Sequence, residues 1–183
     1  MKTIYKIFSV LTLIFISVNT TTAQQTPAPA QSEIISITGI TAHIGNGNVI
    51  ENATIVFENG KITEIGTGIT AKGKVINAEG QHAYPGFITV NNTLGLGEID
   101  AVRASMDVNE IGSITPNVRS LIAYNAESKL VESMRPNGVL LGQIVPRGGR
   151  ITGTSSVVQF DAWNWEDAAV KIDDAIHMNW PNS

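Results

Sequence analysis

Cysteine is absent from the 183 residues, which excludes disulfides and thiolate metal sites and leaves stability to packing alone. Histidine is scarce, with 3 residues, too few for a self-contained transition-metal site. Charged residues make up 15% of the chain and the net charge is −4, with no basic run, so nucleic acid is excluded as a partner. No Gly-Lys-Ser or Gly-Lys-Thr follows the glycines near residue 149, so they do not form a phosphate-binding P-loop. What is present is 43% hydrophobic residues, enough for an ordinary globular domain or a small pair.

The N-terminus differs in kind from the rest. Lys2 and Lys6 precede an apolar run from Ile7 to Val18, and Thr21-Thr22-Ala23 offers a small-residue cleavage site before Gln24. The run is short for a membrane span, and a polar segment follows it. Residues 1–23 therefore read as a signal peptide, which places the mature chain in the periplasm or outside the cell. No cysteine follows the cleavage site, so no lipoprotein anchor forms and no stable membrane attachment outlasts cleavage. Losing two lysines and no acids moves the charge from −4 to −6. Residues 24–32, with Pro27 and Pro29, read as a flexible linker.

Residues 33–84 read as short strands separated by turns. Ile35-Ser36-Ile37-Thr38 and Ile40-Thr41-Ala42-His43-Ile44 alternate, Gly45-Asn46-Gly47-Asn48 turns, and Ala53 to Glu58 is a β-branched strand. Asn59-Gly60 predicts a type I′ hairpin with a return strand over Lys61 to Ile65, bulged or ended before Ile65 because Ile62 and Ile65 have opposite parity. Lys74 to Asn77 is a further short strand.

The next stretch is Tyr84-Pro85-Gly86-Phe87-Ile88-Thr89-Val90-Asn91-Asn92-Thr93-Leu94-Gly95. It resembles the first barrel strand of the amidohydrolase superfamily, in its imidazolonepropionase-like branch, whose pattern is Pro-Gly-hydrophobic-Ile-Asp-x-His-x-His. Glu58-Asn59-Gly60-Lys61-Ile62 and Val75-Ile76-Asn77-Ala78-Glu79-Gly80 are similar to turn and strand motifs of the small β-sandwich preceding that barrel. The resemblance implies mixed α and β structure: an N-terminal β-sandwich over 33–84, then the first β-α-β part of an incomplete TIM (β/α)₈ barrel over 85–183. It also implies a divalent metal such as zinc, held in the family by the two histidines. Asn91 and Thr93 stand at those positions, and an amide and a hydroxyl are weak ligands for such an ion. His82 and His43 lie too far upstream to replace them. No cofactor or metal site is thus expected in this chain.

Leu96 to Ala104 reads as a short helix or an extended connection. Thr115-Pro116 predicts a helix start, with Val118, Leu121 and Ile122 at helical spacing. Asn125 or Ser128 caps a second helix carrying Leu130, Val131 and Met134, stopped by Pro136-Asn137-Gly138. Val139 to Val145 reads as a buried parallel strand, completing the β-α-β unit. Pro146 to Gly153 would leave it at the catalytic face. There Arg147 and Arg150 either hold an anionic substrate group or are solvated arginines of a surface turn. Val157 to Phe160 suggests a short strand. Trp163, Trp165 and Trp180 with Phe160 either line a pocket or cover core, and Asp161, Glu166 and Asp167 read as a solvated helix start, with Lys171 in a helix after them.

The resemblance implies hydrolysis of non-peptide carbon–nitrogen bonds in a small-molecule substrate. This chain would be the N-terminal part, inactive alone, with the rest of the barrel supplied in cis or in trans. Asn91, Thr93, Arg147 and Arg150 are the candidate substrate-binding residues at the barrel mouth. The alternatives are a non-catalytic binding or partner subunit derived from this fold, and a standalone exported β-domain with an accessory tail.

Overall fold

The computed structural model describes residues 26–180, so the signal peptide expected over residues 1–23 lies outside the described part. Strands β1 (Ile35–His43), β2 (Val49–Glu58), β3 (Lys61–Gly66), β4 (Lys74–Asn77) and β5 (His82–Ala83) form one mixed sheet. β1 is its centre, antiparallel to β2 and parallel to β4 and β5. The two strands expected over residues 35–44 are one. Gly39, at φ 77°, bends the chain where the β1–β2 register shifts, and pairing resumes at Ile40. Asn59 and Gly60 have φ of 52° and 72°, as a type I′ hairpin requires. Phe57 pairs with Ile62 and Val56 with Glu64, so Thr63 is the extra residue of the anticipated bulge. Ile40, Ala42, Ala53, Ile55 and Ala78 are the buried core here. The expected sandwich is a single sheet. β4 and β5 are short, and they extend the open edge of β1 instead of building a second layer.

The second sheet runs β6 (Phe87–Asn92), β7 (Val139–Ile144), β8 (Ile151–Gln159), β9 (Ala169–Met178), in that spatial order. β6 and β7 are parallel, and the other two pairs are antiparallel. This corrects the expected start of a TIM barrel. The sheet is mixed, strands dominate, and among the described residues the α-helices are only α1 (Lys129–Met134) and α2 (Trp165–Ala168), with short 3₁₀ turns at Arg103–Ser105, Ser120–Ala123 and Arg135–Asn137. No β-α-β barrel unit is present among the described residues.

The helix predicted from Thr115-Pro116 fails for a physical reason. The Thr115 amide and hydroxyl both donate to the Ile151 carbonyl, at 2.8 and 2.9 Å. The Thr154 amide donates to the Val118 carbonyl at 2.7 Å. The Val118 carbonyl, which a helix would pair internally, is thus committed to β8, and the expected cap residue Thr115 is tied to the same strand. The helix after Ser128 does form, although Ser128 Oγ donates to Glu98 at 3.0 Å and makes no cap bond. It runs into the last 3₁₀ turn, which ends at Gly138 with φ 79°.

β7 is the expected strand with one parallel and one antiparallel neighbour, and Leu140 is exposed. β8 is longer than anticipated and absorbs the end of the Pro146–Gly153 loop. β9 replaces the helix assigned to Lys171. Phe160 is buried and Trp165 packs on the core, whereas Trp163 is exposed and Trp180 is 88% exposed. Asp161 is not a solvated helix start: it pairs with Arg135 at 2.5 Å and accepts from the Ala28 amide.

The larger core joins Ile144, Val158 and Phe160 of the sheet region to Leu96, Leu121, Tyr124 and Val131 of the β6–β7 connection. Each fully buried aliphatic or phenyl side chain of this set contributes about 1.5–3 kcal/mol. Tyr124 is buried with its hydroxyl unpartnered among the described residues, and burial pushes its phenol well above the ordinary value.

Gly95 lets this connection close on the core. Its φ is 75°, and a Cβ there would lie 2.6 Å from the Tyr124 ring and 3.0 Å from the Asn125 carbonyl. Gly95→Ala should therefore cost about 1–3 kcal/mol in chemical denaturation. Gly47, at φ 91° with open space around it, should lose less on the same substitution. Equal losses at the two positions would contradict the steric account.

Candidate functional site

The polar groups of the second sheet converge where β6 and β7 end. β6 departs from simple alternation there: Asn91 has φ 52°, a conformation asparagine tolerates better than most residues, and the β6–β7 register shifts between Thr89 and Asn92. The Asn91 side chain is taken up by Arg147. Nη1 donates to Asn91 Oδ1 and Nη2 to the Asn91 carbonyl, both at 2.7 Å. Arg147 is held in turn by its own amide, which donates to the Val108 carbonyl at 2.6 Å.

Gln143 of β7 extends the cluster toward β9. Its Oε1 accepts from the Asn91 amide at 3.2 Å, and its Nε2 donates to Asp174 Oδ2 at 2.6 Å. Lys171 pairs with the other Asp174 oxygen at 2.6 Å. The Lys171 and Gln143 hydrogen bonds hold the Asp174 carboxyl below the ordinary carboxylate value. His177 also lies on β9, with Nε2 inaccessible and without a partner among the described residues. Burial, then the Arg147 charge, push its imidazole below the ordinary 6.5, against an opposing pull from Asp174.

The four anticipated site residues thus separate into a joined pair and two others. Asn91 and Arg147 meet directly. Thr93 lies beyond the end of β6 and, with Asn92, Asp100, Met106, Leu130 and Arg147, lines an open groove of about 290 Å³. Arg150 stands apart: its amide donates to the Ser113 carbonyl at 2.6 Å, its carbonyl accepts from Asn179, and its side chain is exposed. Gln143, Asp174 and His177 went unrecognised in the sequence. The signal available was Gln143 as the one polar side chain of β7, whereas β9, with Lys171, Asp173, Asp174 and His177, offered no such contrast.

No family model matches the chain, and no curated protein matches it. Among solved structures it is similar to an amidohydrolase from Thermotoga maritima MSB8, with 24% identity and a TM-score of 0.75 over 81% of this chain. The chain shares the fold of part of that amidohydrolase. It spans 39% of that protein's length.

The metal that such a fold implies does not fit the donors found here. Zinc binds nitrogen, sulfur or carboxylate at about 2.0–2.3 Å. Asn91 offers a neutral amide oxygen already occupied by a guanidinium, which repels a cation from the same atom. Among the described residues, no three His, Cys, Asp or Glu side chains gather as a metal set. The cluster instead orients hydrogen-bonding groups at the edge of the groove.

The His177 environment sets a pH dependence. Its folded-state value lies below 6.5, so on acidification the unfolded chain takes up a proton before the native chain does. This contribution to stability is complete above about 6.5 and declines as pH falls below it. Denaturant midpoints between pH 7 and 5 should fall more steeply for the native chain than for His177→Gln. Parallel slopes would contradict the assignment.

Proposed function

We propose that this chain is the N-terminal part of an exported amidohydrolase-like protein, and that it supplies a metal-free polar wall rather than a hydrolytic centre. The observation that carries this reading is the Arg147 fork on Asn91, with both bonds at 2.7 Å. A positive charge occupies the place where the family's motif carries its first metal-binding histidine. The protein as a whole would hydrolyse carbon–nitrogen bonds, other than peptide bonds, in a small substrate, using groups that this chain does not contain. The 39% coverage of the Thermotoga maritima amidohydrolase supports that view. Export rests on the basic and apolar leader over residues 1–23. Among the described residues no helix is long and apolar enough to cross a membrane.

A second reading is a non-catalytic binding or partner subunit. The open groove beside Thr93 and Arg147 favours it, because Asp100 and Arg147 place charges of both signs on its border.

Two measurements test these readings. The purified chain should contain no stoichiometric zinc by mass spectrometry of the elements and should not turn over a panel of cyclic and linear amides. Tightly bound zinc at Asn91 and Thr93, or hydrolysis by the chain alone, would overturn the metal-free wall. Expressed with its leader in a Gram-negative host, the protein should be recovered from the periplasm with Gln24 as its first residue. Full-length protein confined to the cytoplasm would overturn the export step.

A further inference from the structure

His43 and His82 stand 39 residues apart in sequence, and the fold brings their rings together, His43 Nε2 lying 3.0 Å from His82 Nδ1. Two of the chain's 3 histidines thus meet on one exposed patch of the first sheet. The meeting is fixed by backbone pairing. His43 ends β1, His82 opens β5, and the two strands run parallel with Thr41 opposite His82 and Ala42 opposite Ala83. Tyr84 then stacks on the His43 ring at 4.2 Å with 10° between the planes, which limits how that imidazole turns. His82 lies against the same stack, 5.3 Å from His43.

We propose that His43 and His82 form a surface site for a divalent cation of the copper(II) or nickel(II) class. The chain alone supplies two ligands, and water completes the coordination. Imidazole nitrogens suit late first-row metals, whose affinities rise to a maximum at copper(II). At metal–nitrogen bonds of about 2.0–2.1 Å, two nitrogens lie about 2.9 Å apart at a right angle and about 3.3 Å apart at the tetrahedral angle. The observed 3.0 Å is the spacing of an N–H···N hydrogen bond, so the choice of copper(II) or nickel(II) rests on their place in the affinity order. In the metal-free protein a proton bridges the same two nitrogens. On binding, that proton passes through solvent to the other nitrogen of the same ring, so both imidazoles stay neutral and no oxidation state changes. The site is separate from the Asn91–Arg147 cluster and does not depend on the function proposed for it. The count of 3 histidines excluded a complete protein-built site, whereas a half-site finished by water needs only the pair.

The test is titration of the mature chain with copper(II) chloride, followed by calorimetry and electron paramagnetic resonance. One copper(II) per chain is expected, with coupling to two nitrogens. Two ligands held together act as a bivalent pair, so His43→Gln or His82→Gln should each weaken binding on the order of a hundredfold. His177→Gln should leave it unchanged. Circular dichroism of each variant confirms that the strands remain. Unchanged affinity in the folded double variant His43→Gln/His82→Gln, loss of binding in His177→Gln, or a one-nitrogen spectrum in the native chain would each overturn the proposal.

Discussion

Between β6 and β7 the chain crosses residues 93–138 with a single six-residue helix, and the buried peptide groups along that path still need partners. The second half of the molecule depends on how this need is met. Isolated bridges join Gly97 to Met106, Asn109 to Arg147, Ile114 to Ile151 and Arg119 to Thr154. Ser120, fully enclosed, donates its hydroxyl to the Ile144 carbonyl at 2.7 Å, tying a 3₁₀ turn to β7. The connection is thereby stitched to the sheet, and its apolar residues, Leu121 and Tyr124 foremost, become the cover that long helices would otherwise provide. The same stitching places Arg147, whose amide is fixed to Val108 before its guanidinium reaches Asn91.

What could be read from the sequence was local. Asn59-Gly60 announces its hairpin because both residues accept positive φ, and the opposite parity of Ile62 and Ile65 exposes the bulge beside it. The helix over Lys129–Met134 and its stop at Gly138 were legible for the same reason. Thr115-Pro116 misled because the groups that deny it a helix belong to Ile151 and Thr154, more than thirty residues on. β9 was legible in part. Val170, Ile172, Ile176 and Met178 share one parity, but Asp173, at φ 52°, interrupts the strand and the adjoining acids suggested a helix start. Of the site, the family pattern located Asn91. Nothing in the pattern links it to Arg147, Gln143 and Asp174, which are brought near by sheet order rather than by spacing.

Electrostatics at the cluster alternate across the sheet. The Arg147 cation lies on β6's end, the Asp174 anion on β9, the Lys171 cation beside it, and Gln143 bridges between strands with one donor and one acceptor. An amide is suited to that bridge because it satisfies a peptide N–H on one side and a carboxylate on the other without adding charge. The arrangement sets two cations against one carboxylate, which is consistent with a wall that orients a ligand and not with a site for a further cation.

β6 stands at the end of its sheet, with β7 on one flank only. Phe87 and Val90, at 68% and 69% exposure, show that apolar surface lies open along this strand, and Ile88 adds to it. A row of unpaired peptide groups flanked by such residues is a template for the addition of another strand. For the described segment on its own, this margin, like β9 at the opposite edge with Ile176 and Met178 exposed, is open to a further strand however tightly either core is packed.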